Sequence, residues 1–99
     1  MSEKDLERDK LNLETGRIQW PELQRYFAKG VIIDIDTSLD LVEVAQQFVR
    51  DNKTQIEEWI ASGQVCRATD DHAKRWHGDN SEFWAIVVTP WVLVQQIHD

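Results

Sequence analysis

The sequence predicts an α+β domain, a small sheet with strands near residues 31–35, 83–88 and 91–96 packed against about five short helices. Three observations carry that reading. Leu41, Val44, Ala45, Phe48 and Val49 recur at the i, i+3, i+4, i+7, i+8 spacing of an amphipathic helix. Val31-Ile32-Ile33-Asp34-Ile35 is short and β-branched, as strands are. Ten of the twelve residues from Phe83 to Val94 are apolar in a chain of formal charge -7, so this run is expected to be buried on both faces.

In chain order, residues 3–15 alternate charges around Leu6, Leu11 and Leu13 and read as a mostly solvated helix stopped by Gly16. Trp20-Pro21 starts a second helix, because proline is tolerated in the first turn. Leu23, Tyr26 and Phe27 share one of its faces, and Gly30 supplies a left-handed end. After the 31–35 strand, Ser38 caps the third helix and Asp51-Asn52 breaks it. Thr54 and Glu57 have capping-box spacing for a fourth, with Ile56, Trp59 and Ile60 on its buried face and Gly63 at its end. Val65-Cys66-Arg67 is extended at best. Thr69 caps a fifth helix with Asp70 and Asp71 in its first turn and Ala73 and Trp76 facing inward, closed by Gly78.

Thr89-Pro90 divides the apolar C-terminal run. Proline cannot sit in a central strand, so it marks an edge, a bulge or a turn. A cis proline in a type VI hairpin is one solution; Thr89 capping a helix that starts at Pro90 is the other. The β-branched residues at 92, 94 and 97 favour strand. Phe83–Val88 then reads as the central strand and Trp91–Gln95 as an edge open to a second chain.

Ninety-nine residues fit one domain, 1–99, with residues 1–5 frayed and 39–62 forming an αα-hairpin. Cys66 is the only cysteine, which excludes an internal disulfide and suits a reducing compartment. The charged N-terminus lacks a signal peptide's apolar stretch, and no run approaches the roughly 20 apolar residues of a bilayer span. A cytoplasmic protein with no membrane partner is expected. Eighteen acidic against eleven basic residues disfavour nucleic acid, whose phosphates require clustered Lys and Arg. A winged helix would also turn Asp70 and Asp71 towards those phosphates.

Few residues suggest chemistry. Asp34-Ile35-Asp36-Thr37-Ser38 after a strand resembles the aspartate motif of haloacid-dehalogenase-like phosphatases, but Ser38 replaces the threonine and the chain is too short for that fold. As a calcium loop the segment fails at Leu39 and Ala45, where Gly and Glu are needed. Cys66, His72 and His77 do not make a zinc set, because on one helix the two histidines point about 140° apart. No metal, cofactor or catalytic residue is expected. Asp40 and Glu43 oppose a helix dipole; with Asp34 and Asp36 they are the candidate ligand-facing carboxylates.

The pattern Ser38-Leu39-Asp40-Leu41-Val42-Glu43-Val44-Ala45, then Trp59 with Gly63, Trp76 and Val87-Val88-Thr89-Pro90-Trp91-Val92-Leu93-Val94-Gln95 resembles the small bacterial proteins grouped as domain of unknown function 2288. The resemblance covers about Leu11 to Gln95. It implies a stand-alone cytoplasmic bacterial protein and supplies no activity, cofactor or site residue.

The functional expectation is a non-enzymatic interaction module, self-associating as a dimer or binding a protein partner, with Trp84, Trp91, Leu93 and Tyr26 as its candidate surface. The alternative is a divalent-metal-dependent small-ligand binder or hydrolase using Asp34, Asp36 and Asp40.

Overall fold

The computed structural model describes residues 10 and 14–97. From Gly16 to Gln96 nine elements follow one another: β1 (Gly16–Gln19), α1 (Trp20–Ala28), β2 (Ile32–Ile35), α2 (Leu41–Val49), α3 (Lys53–Ser62), β3 (Val65–Arg67), α4 (Asp70–Asp79), β4 (Glu82–Val88) and β5 (Trp91–Gln96). The α+β class holds, with four helices among the described residues instead of five. The helix expected over 3–15 lies outside the described residues, apart from Lys10, Glu14 and Thr15.

The five strands form one mixed sheet in the order β1-β4-β5-β2-β3. All neighbours are antiparallel except β2 and β5, which run parallel with Ile33 beside Leu93. The Thr89-Pro90 bond is cis and joins β4 to β5 as a two-residue hairpin, so the alternative of a helix beginning at Pro90 is overturned.

Helices cover both faces. α2 and α3 bury Leu41, Val44, Ala45 and Trp59 against Ile33, Ile35, Val65, Ile86 and Leu93. On the other face α1 and α4 bury Trp20, Leu23 and Trp76 against Ile32, Phe83, Val92 and Val94. Alternate residues of β2, β4 and β5 therefore feed separate cores, as a period of two requires.

The apolar C-terminal run divides unlike its sequence expectation. Trp91–Gln96 is the middle strand and no edge: Val92, Leu93 and Val94 are all buried, since β4 and β2 flank it and helices cover both faces. Phe83–Val88 is second in the sheet. It leaves Trp84 (39% exposed) and Val87 (58%) open to solvent. Among the described residues the edges are β1, of which only Gly16 is read in the sequence, as a helix stop, and β3.

Helix ends follow their chemistry with small shifts. Asp40, two residues after Ser38, caps α2 by accepting the Val42 N–H at 2.9 Å. Asn52, not Thr54, caps α3. Thr69 caps α4 as expected, and His72 completes a reciprocal capping box in the position usually held by Glu or Gln. Gly78 lies inside α4, which ends when Asn80 adopts the left-handed conformation at φ 48°.

Candidate functional site

Two places on the molecule bring functional residue types together. The first is an apolar trough on the α2/α3 face. Two adjoining cavities of about 450 and 410 Å³ share Phe48, Ile56 and Trp91. Ile33, Ile60 and Val65 extend the apolar lining towards the β3 edge. Asp51, Lys53 and Glu57 stand around the other end. The Arg67 guanidinium lies 5.5 Å from the centre of the Trp91 ring, held by two hydrogen bonds to the Gly30 carbonyl at 2.9 and 2.7 Å.

The second place is the opposite face, at the carboxyl end of β2. Asp34 sits directly across the β2–β3 ladder from Cys66, so both side chains emerge on one face. His72, in the first turn of α4, closes over them with its Nε2 3.7 Å from Asp34 Oδ2. The carboxylate, thiol and imidazole ligand atoms all lie within 4.8 Å of one another. His72 is fixed from behind: its Nδ1 accepts the Thr69 N–H at 3.0 Å, and its ring stacks on Trp76 at 5.3 Å. Beside the cluster, Asp34, Ile35, Asp36, Thr37, Arg75, Asp79 and Gln96 line a polar depression of about 420 Å³.

The electrostatics follow from burial. Desolvation pushes the Asp34 carboxyl above its ordinary 3.8; His72 and Arg75 pull it down and Asp36 adds to the rise. Burial, with the Asp34 charge, likewise pushes the Cys66 thiol up, against Arg75. Asp36 is solvent-exposed and held below its ordinary value by hydrogen bonds from Ser38. Cys66 is thus a protonated thiol and no activated nucleophile. A Cys–His–Asp catalytic relay is also excluded by placement, since it needs thiol and carboxylate on opposite ring nitrogens. Here Asp34 faces Nε2 while the cap occupies Nδ1.

A raised carboxyl has a definite consequence for stability. The unfolded chain releases the Asp34 proton first, so the stability the protonated group contributes below pH 3.8 is lost as pH rises through its folded value. Asparagine mimics the protonated form at every pH. Asp34→Asn is therefore expected to gain stability relative to the wild type between pH 3 and pH 7 in urea denaturation. A relative loss over that interval would contradict the desolvation account.

The four carboxylates expected to face a ligand separate into pairs. Asp34 and Asp36 border the same depression, although the Asp36 carboxylate is turned into its own loop, accepting the Ser38 N–H at 2.9 Å. Asp40 is used by the α2 N-terminus and Glu43 is exposed in that helix's first turn. The expected interaction residues are similarly dispersed. Leu93 is fully buried in the middle strand and is no surface residue, a correction that follows from the two-sided burial of β5. Tyr26 lies on the α1/α4 face beneath Arg25 and Lys29. Trp84, under the Arg17 guanidinium, is four residues along β4 from the position paired with Trp91. Trp91 lines both cavities of the trough. Cys66 and His72 do converge, but their third partner is Asp34 and not His77; the register that pairs residue 34 with 66 has no signature in sequence.

Comparison with known proteins agrees with this architecture. The chain belongs to the family described as "Protein of unknown function (DUF2288)", which matches residues 6–96. It is similar to PA1075 from Pseudomonas aeruginosa, whose NMR solution structure has a TM-score of 0.83 and 36% sequence identity, covering 100% of this chain and 93% of that one. No curated protein matches. Among the described residues no helix is long and apolar enough to cross a membrane.

Proposed function

We propose that this chain is a non-enzymatic interaction module that self-associates through the trough centred on Trp91. The observation that carries the reading is the continuity of the two cavities through Phe48, Ile56 and Trp91, beside β3, an edge strand among the described residues. Single exposed apolar side chains are ordinary on any protein surface. Here Ile60, 54% exposed, adjoins a concave apolar lining and a Trp–Arg pair, the side-chain types that anchor interfaces. The rim carries both signs, Asp51 and Glu57 with Lys53, so it complements its own two-fold copy. A cytoplasmic bacterial setting belongs to the same reading, supported by the single unactivated cysteine and by the bacterial structural neighbour.

Light scattering on the full chain from micromolar to millimolar concentration tests it. A dimer is expected, and Ile60→Asp should shift the mass to monomer while leaving the unfolding midpoint almost unchanged. A charge at a solvent-facing helical position alters stability by no more than about 0.5 kcal/mol. A monomer throughout the range, or a dimer indifferent to Ile60→Asp, would remove the reading.

A further inference from the structure

We propose that Asp34, Cys66 and His72 form a three-ligand site for a borderline-soft divalent transition metal, of which zinc is the type, with a fourth position left to water. The donor set selects the ion. Thiolate and imidazole favour zinc or cobalt, whereas magnesium and calcium take oxygen ligands. The three donors come from β2, β3 and α4, and their ligand atoms already lie within 4.8 Å of one another. Tetrahedral bond lengths of about 2.0–2.3 Å place donors about 3.3–3.8 Å apart, so closure requires side-chain adjustment of about 1 Å.

The surroundings suit a cation. Asp34 and Cys66 are partly buried as a facing pair, and each resists ionising there chiefly because of burial, with the charge of Asp36 adding at Asp34 and that of Asp34 adding at Cys66. A dication offsets both costs at once. The thiol proton leaves to solvent on ligation. His72 requires a second proton movement, because its Nδ1 accepts from Thr69 and the neutral ring therefore carries its proton on Nε2, the edge turned towards Asp34. A metal taking the Nε2 lone pair displaces that proton, and Nδ1 gains one. The new Nδ1–H then donates to the Thr69 hydroxyl 3.1 Å away, while the exposed Thr69 N–H turns to water. Thr69 thus supplies the outer hydrogen bond that ligating histidines ordinarily have. The water position opens towards the depression lined by Asp36, Thr37, Arg75, Asp79 and Gln96.

Cobalt titration of the full chain reads this directly. One Co²⁺ per chain should produce the near-ultraviolet absorption of a thiolate–cobalt bond, and Zn²⁺ should bleach it. Cys66→Ser should abolish that absorption and weaken binding by about tenfold or more. As an independent readout on the unmutated chain, Zn²⁺ should slow alkylation of Cys66 by about tenfold or more. Absence of the near-ultraviolet band at millimolar Co²⁺, its persistence in Cys66→Ser, or alkylation indifferent to Zn²⁺ would each overturn the site.

Discussion

Trp76→Ala is expected to cost about 3–5 kcal/mol, the range for truncating a buried aromatic residue. A domain of this size has about 5–15 kcal/mol in total, so the variant should be marginal or unfolded at 37 °C. The reason is position more than size. Trp76 is 1% exposed and is the ring on which the α1/α4 core converges. Its ring centre lies 4.9 Å from that of Phe83 on β4, 5.7 Å from that of Trp20 on α1 and 5.3 Å from the stacked His72. The backbone repeats the connection: Ser81 N–H donates to the Trp76 carbonyl, and Trp20 N–H donates to the Ser81 carbonyl. A helix, a strand and the start of another helix are thus fastened at one place, and the cavity left by alanine cannot collapse without moving all three. Urea denaturation followed by far-ultraviolet circular dichroism measures this. Trp84→Ala, whose ring is 39% exposed under Arg17, is the control and should cost less than about 1 kcal/mol. A Trp76→Ala penalty as small as that of Trp84→Ala would contradict the core assignment.

What was legible in the sequence was local. The spacing of Leu41, Val44, Ala45, Phe48 and Val49 defines α2 because one helix face alone must be apolar; the structure buries the first three completely or nearly so, while Val49 at the helix end is 49% exposed. Thr69 announces α4 because a hydroxyl there satisfies a free backbone N–H. β1 was hidden because an edge strand with a single inward residue, Ile18, has no alternation to detect. The sheet order was hidden for a different reason. Phe83–Val88 and Trp91–Gln96 are similarly apolar, yet β4 buries Phe83 and Ile86 and exposes Trp84 and Val87 while β5 is buried without interruption from 92 to 94. Composition does not report which of two such strands receives a parallel partner from residues 32–35.

The candidate sites were legible in proportion to how local they are. Trp91 stood out because it follows the proline that bends the chain. The cluster of Asp34, Cys66 and His72 was beyond reach. It depends on the register between β2 and β3 and on the docking of α4 over that pair. A histidine is also an unusual partner in a capping box, so its fixed ring could not be anticipated from the Glu or Gln pattern.

Leu93→Ala separates the two roles that residue could hold. In the middle strand, with Ile86 across one ladder and Ile33 across the other, its side chain is fully buried. It packs in the core closed by Val44, Ala45 and Trp59. Truncation should therefore cost about 2–5 kcal/mol, and the upper half is expected because hydrogen-bonded strands on both sides hold the backbone in place around the cavity. Val87→Ala on neighbouring β4 removes a similarly apolar but 58% exposed side chain, and should change stability by no more than about 0.5 kcal/mol. A docking residue would behave otherwise: its alanine variant would keep its unfolding midpoint as a monomer and lose mass in light scattering. Denaturation at a concentration where the wild type is monomeric, paired with scattering where it associates, distinguishes the two. A large stability loss without selective loss of assembly fits a core residue, and the reverse would return Leu93 to the surface.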